Sequence, residues 1–134
     1  MDLADRLLDV INGLELPATC YLSAITGKEN PELGLLMLPN SNVIWQDYVG
    51  NRQEQRVFEL TMAGEDEATV NDTLWKVANL IGDPDFTLQS QDDSFIFDLL
   101  TVNSFPTLAT VDTSNRFIYT FDFTVQVEVY KKGK

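Results

Sequence analysis

The chain has 134 residues and a mass of 15.1 kDa, the size of one domain able to bury a core without disulfide or metal staples. It carries 21 acidic residues, 9 basic ones, one cysteine and no histidine, for a net charge of −12. These counts exclude Ser-His-Asp and Cys-His catalytic pairs, an imidazole or thiolate zinc site, an internal disulfide, and sequence-neutral binding to phosphate backbones.

Asp2 and Asp5 stand where a secretory leader would be basic, and the longest apolar run, Leu35–Leu38, is far short of the roughly 20 residues of a bilayer span. The expectation is a single domain over 1–134 in a reducing cytoplasm. Asp2–Leu14 reads as an amphipathic helix, with Leu3, Leu7, Val10, Ile11 and Leu14 in one stripe and acids in its first turn, where the macrodipole favours them. Ala18–Ile25 is a short strand between Pro17 and Thr26-Gly27, and its Cys20 reads as a buried, inert thiol. Leu33–Leu38, continuously apolar between Pro31 and Pro39, suits a strand covered on both faces.

Asn40–Asn51 is bounded by turn residues and reads as a loop, yet holds Val43, Ile44, Trp45, Tyr48 and Val49. So much apolar surface on a loop either folds back on the core or meets a partner. Trp45, Tyr48 and Val49 are therefore candidate interface residues. Arg52–Met62 alternates as a strand. Gly64 ends it, and Glu65-Asp66-Glu67 opens a second helix with Asp66 as its N-cap. Val70, Leu74, Val77, Ala78 and Ile81 form the buried stripe of that helix, Trp75 flanks it, and Gly82 and Pro84 close it.

After a polar connector over Asp85–Asp93, Ser94–Val102 reads as a strand with Phe95, Phe97 and Leu99 on one face. Thr107–Val111 and the segment from Arg116 form a hairpin around Asp112-Thr113-Ser114-Asn115. Over Phe117–Val129 apolar residues occupy every odd position, and only Ile118 breaks the polar even set. That length spans roughly 43 Å, so the strand crosses the whole domain and either bends, projects beyond it, or runs through the sheet centre. Thr124 and Gln126 on its even face are candidate interface positions.

Few residues suggest a reaction. Asp83-Pro84-Asp85 resembles the start of a calcium loop, but Leu88 stands where that loop needs glycine. Asp92 and Asp93 are adjacent carboxylates in a turn, which ordinarily solvate it, and the seven glycines are too scattered for a phosphate cradle. The reading is a non-enzymatic α+β protein with no metal or cofactor.

The order of these elements resembles the tail-terminator (minor capsid or tail-completion) proteins of long-tailed bacteriophages. The likeness runs from the helix Asp2–Leu14 through Arg56-Val-Phe-Glu-Leu-Thr-Met62, the helix Ala68–Ile81 and Ser94–Val102 to the final hairpin ending in Phe121-Asp-Phe-Thr-Val-Gln-Val127. It implies one mixed, mostly antiparallel sheet with two main helices packed on it and a long C-terminal hairpin. It also implies a hexameric ring that caps the finished tail tube, stops polymerisation and presents a surface to head-completion proteins, with no catalytic residues. DNA passes through such a ring, and an acidic lumen lets it slide; Asp92 and Asp93 are the lumen candidates. Three other readings stay open: another head–tail connector or neck protein, an acidic DNA-mimic adaptor, and a small enzyme with a carboxylate base.

Overall fold

A computed structural model describes residues 2–26, 30–39, 42–46 and 51–129. In chain order these form α1 (Leu3–Asn12), β1 (Cys20–Tyr21), β2 (Glu32–Met37), β3 (Asn42–Gln46), β4 (Arg52–Gly64), α2 (Glu67–Ile81), β5 (Phe95–Val102), β6 (Thr107–Val111) and β7 (Phe117–Val129). The fold is α+β: a mixed, mostly antiparallel sheet with two helices packed on it and a C-terminal β6–β7 hairpin.

The spine is a ribbon of the two longest strands. β4 and β7 pair antiparallel throughout, from Arg52↔Val129 to Gly64↔Phe117. Each outer side of the ribbon carries two shorter strands end to end. β3 lies beside β4 over 52–55 and β2 over 58–63; β5 lies beside β7 over 123–129 and β6 over 117–120. β1 extends the sheet parallel to β2. The long strand β7 is therefore central, with a partner on both sides for nearly all its length. Its length is absorbed by two successive partners on one edge, and the β4–β7 ribbon carries it.

The alternation of β7 sets the core. Phe121, Phe123, Val125 and Val127 are buried, opposite Leu60, Phe58, Arg56 and Glu54 on β4. The rings of Phe58 and Phe123 stack with centroids 5.5 Å apart. Leu3, Leu7 and Ile11 of α1, and Val70, Leu74, Val77, Ala78 and Ile81 of α2, join them in one cluster. Burying each such side chain stabilises the fold by about 1.5–3 kcal/mol. The helix stripes read from the sequence are thus the ones that pack, with Val10 and Leu14 half-buried at the rim.

Local chemistry fixes several boundaries. Asp66 holds the N-cap position of α2, but its carboxylate takes the Thr69 hydroxyl (2.7 Å) rather than a backbone N–H. At the β6–β7 turn the Asp112 carboxylate accepts from the N–H groups of Ser114 and Arg116, both at 2.9 Å, while Asn115 takes a left-handed φ of 62°. Asn12, the last residue of α1, binds both backbone groups of Cys20 through its side-chain amide, accepting at 2.8 Å and donating at 3.2 Å. That amide takes the place of a neighbouring strand and ties α1 to β1.

The structure corrects four expectations. The strand expected over 18–25 is confined to Cys20–Tyr21, because the chain then turns to cross β2: a Cβ on Gly34 would clash with the Ser23 carbonyl oxygen. β2 is covered on both faces only over Glu32–Leu35; Leu36 and Met37 are exposed. The segment expected to be a loop over 40–51 contains strand β3, which β4 holds by pairing Asn42↔Gln55 through Gln46↔Arg52. In β5 the pairing shifts between Phe97 and Leu99, leaving Asp98 as a bulge. The extra residue reverses the faces beyond it, so Leu100 and Val102 turn toward the core and Leu99, expected to join Phe95 and Phe97, faces outward.

Candidate interface surface

Three places bear on the residues singled out by the sequence. The first is the connector before β5. Asp2, just ahead of α1, is nearly buried there. Its carboxylate accepts from the Ser90 hydroxyl (2.7 Å) and the Gln91 N–H (2.8 Å), and it pairs with Arg6 at 3.4 Å. Burial works to raise this carboxyl, but the Ser90 and Gln91 bonds outweigh it and hold it below the ordinary aspartate range. Asp92 accepts from the Ser94 N–H (3.0 Å) and shares with Asp2 the single Ser90 hydroxyl proton (2.9 Å), and bonds from Ser94 and Ser90 keep it ionised well below the usual range. Asp93 follows in a left-handed conformation, φ 57°, with its side chain exposed. The two lumen candidates therefore sit on one exposed turn, Asp92 holding its shape through its hydrogen bonds and Asp93 through its left-handed backbone.

The second is the face of the ribbon opposite the core. Thr124 lies on it directly opposite Val57, but it is only 8% exposed: the connection after β5 folds over it, and the Asn103 amide donates to its hydroxyl at 2.7 Å. Thr124, an interface candidate, is thus covered by the chain itself, while Gln126 on the same face is half-buried. Further along, Glu59 and Asp122 stand directly opposite each other; burial first, and then the Asp122 charge, push the Glu59 carboxyl up.

The third is the end of the ribbon where β3 runs. Trp45 lies on β3, and Val43 and Ile44 there are exposed; Tyr48 and Val49 fall outside the described residues. Next to it, Glu54 is buried on the core face of β4 between Arg52 and Arg56, which both donate to its carboxylate. Burial would raise Glu54, but the two guanidinium groups outweigh it and hold it below the ordinary range. Sequence reasoning passed over this triad, although Arg-x-Glu-x-Arg on a strand places all three on one face. A similar pairing closes the other end, where nearly buried Arg116 meets Glu32 (3.6 Å) and Asp112 (2.8 Å).

No group of three or more potential metal-ligating side chains occurs among the described residues, and the Asp83 carboxylate is turned onto the Asp85 N–H at 2.8 Å. The sequence model of the bacteriophage tail terminator proteins matches residues 4–129, almost the entire sheet and both helices. The chain belongs to the bacteriophage tail terminator family. A tail terminator is a structural, non-enzymatic component of the virion tail. Among solved structures, a chain of the virion of a native gene transfer agent particle has the same fold. It is 16% identical, with a TM-score of 0.56 over 93% of this chain and 87% of that one. No curated protein matches.

Proposed function

We propose that this tail terminator closes into a ring, a hexamer, on the head-proximal end of the finished tail tube. There it stops further addition of tube protein and offers its other side to a head-completion or neck protein. The observation that carries this reading is the family match over residues 4–129. The charge supports it: at −12 per copy a ring repels the phosphates of DNA, so the genome passes through the lumen without sticking. Asp92 and Asp93, exposed before β5, are the proposed lumen carboxylates. Trp45, Tyr48 and Val49, with Gln126 and the shielded Thr124 on the ribbon, are the proposed contacts with neighbours or partners. Assembly takes place in the host cytoplasm.

The test is to polymerise the cognate tail-tube protein with and without this chain and to image the products by electron microscopy. Capping predicts tubes whose growth stops, each with a ring at one end. Tubes of unchanged length with bare ends would overturn the proposal.

A further inference from the structure

Among the described residues, large hydrophobic side chains are exposed at eleven positions. All but Phe105 divide between the two lateral edges of the sheet. Tyr21, Leu22, Leu36, Met37, Val43 and Ile44 lie on the β4 side, on β1 and the bend after it, the free end of β2, and β3. Ile96, Leu99, Leu108 and Val111 lie on the β7 side, on β5 and β6, while Phe105, on the connection between them, stacks on Trp75 of α2 and does not belong to the edge. None is on α1, α2 or the β4–β7 ribbon. All five residues of β6 are exposed, and among the described residues β6 pairs only with β7. Gln89 bridges Ile96, so the open stretch of β5 begins at Phe97.

Open strand edges of this kind take another strand. On the ring reading above, we infer that the occupant is a second copy of this chain, with the β5–β6 edge of one subunit docking on β3 and the exposed end of β2 in the next, since the Asn12 amide already takes the outward backbone groups of β1 at Cys20. Strand direction supports it. β5 and β6 run antiparallel to β7 and hence along β4, whereas β3 and β2 run against β4. Turning one copy about an axis along the strands therefore brings the two edges together antiparallel. Because the two edges are different surfaces, the contact is head-to-tail, the kind that closes into a ring. Charge supports it too. Copies carrying −12 each repel, so their contact must come from uncharged segments. Residues 42–46 and 107–111 contain no charged side chain, and the one acid of β5, Asp98, already accepts from Gln53 at 2.7 Å.

Single cysteines at exposed edge positions test this. The native Cys20 is fully buried and its thiol is pushed up to about 12 by burial, which leaves a silent background. Val43→Cys and Leu99→Cys are made separately and together; because the two positions lie on opposite faces of the sheet, they are treated with a flexible bismaleimide long enough to pass round one strand, at high protein concentration and on capped tail tubes. The expected result is dimer when the two single variants are mixed, none from either alone, and a ladder ending in a closed ring from the double variant. Leu108→Glu and Ile44→Glu should each abolish the ladder without shifting the melting temperature of the monomer. Dimers from one variant alone would overturn the proposal in favour of a two-fold contact. Rings on tube ends with no cross-edge product would overturn the edge contact and leave the ring standing. A chain that neither oligomerises nor caps tubes would take down both.

Discussion

Adjacent residues on β7 have opposite fates. Phe123 is fully buried and stacked on Phe58, so Phe123→Ala should cost about 3–5 kcal/mol in denaturant unfolding. Thr124 faces the other way but takes a hydrogen bond from Asn103 under cover of the chain. Thr124→Ala should therefore cost about 1 kcal/mol, more than an ordinary surface change, because the Asn103 amide loses its acceptor. A cost near zero would mean that the Asn103 connection lifts freely from the ribbon. Glu54 sets a pH dependence. Its folded carboxyl titrates below the ordinary glutamate value of 4.5, so the stability it contributes is complete above that value and is lost as the pH falls through the lower folded one. Glu59 has the opposite sign: its raised carboxyl weakens the fold while ionised, and acid relieves that penalty. Glu54→Gln should flatten the acid limb of a melting-temperature-against-pH curve, and Glu59→Gln should raise the neutral plateau. An acid limb unchanged by Glu54→Gln would show that the Arg52–Glu54–Arg56 group does not control acid unfolding.

Between elements, the tightest junction is where the segment after β1 crosses β2. Gly34 lets the Ser23 carbonyl come closer than any Cβ permits, and the obstacle is backbone, which cannot swing aside. Gly34→Ala should cost roughly 3 kcal/mol, at the upper end of overpacking effects. Its loss should appear as faster amide exchange at Cys20 and Tyr21, the two residues that pair there with Leu33 and Gly34. Protection unchanged from the native chain would mean that β1 is held by Asn12 alone. The bulge at Asp98 works at the same scale. One residue outside the ladder turns Leu99 from the core to the edge, adding an apolar side chain to the surface assigned to a neighbouring subunit.

At the scale of the whole molecule, charge and apolar edges oppose each other. A copy at −12 is repelled by its neighbours, and the repulsion is screened over about 10 Å at 0.1 M salt. Apolar edge contacts are not weakened by the same salt. Raising sodium chloride at neutral pH should therefore shift sedimentation toward larger species. Salt that instead dissolved the assembly would indicate an interface built of ion pairs and would point away from the strand edges.

Much of the molecule was legible in the chain. The stripes of α1 and α2, the alternation of β4 and β7, the Asp112–Asn115 turn and the family likeness all follow from neighbours in sequence, since side-chain period and turn chemistry are local properties. Burial of Cys20 was also readable, from its place inside a strand in a sequence with no base to activate it. The strand β3, the outward Leu99, the shielded Thr124 and the burial of Glu54 between two arginines were not. Periodicity tells which side chains share a face, but not which distant segment covers that face or which strand lies alongside. Those depend on hydrogen bonds and packing between residues far apart in sequence, such as Asn103 with Thr124 and Gln55 with Asn42. A single unpaired residue, Asp98, is enough to reverse a face that the local pattern had assigned. The sequence determined that two amphipathic helices and two long strands would share one core; only the tertiary structure decided which edges of the sheet remain open.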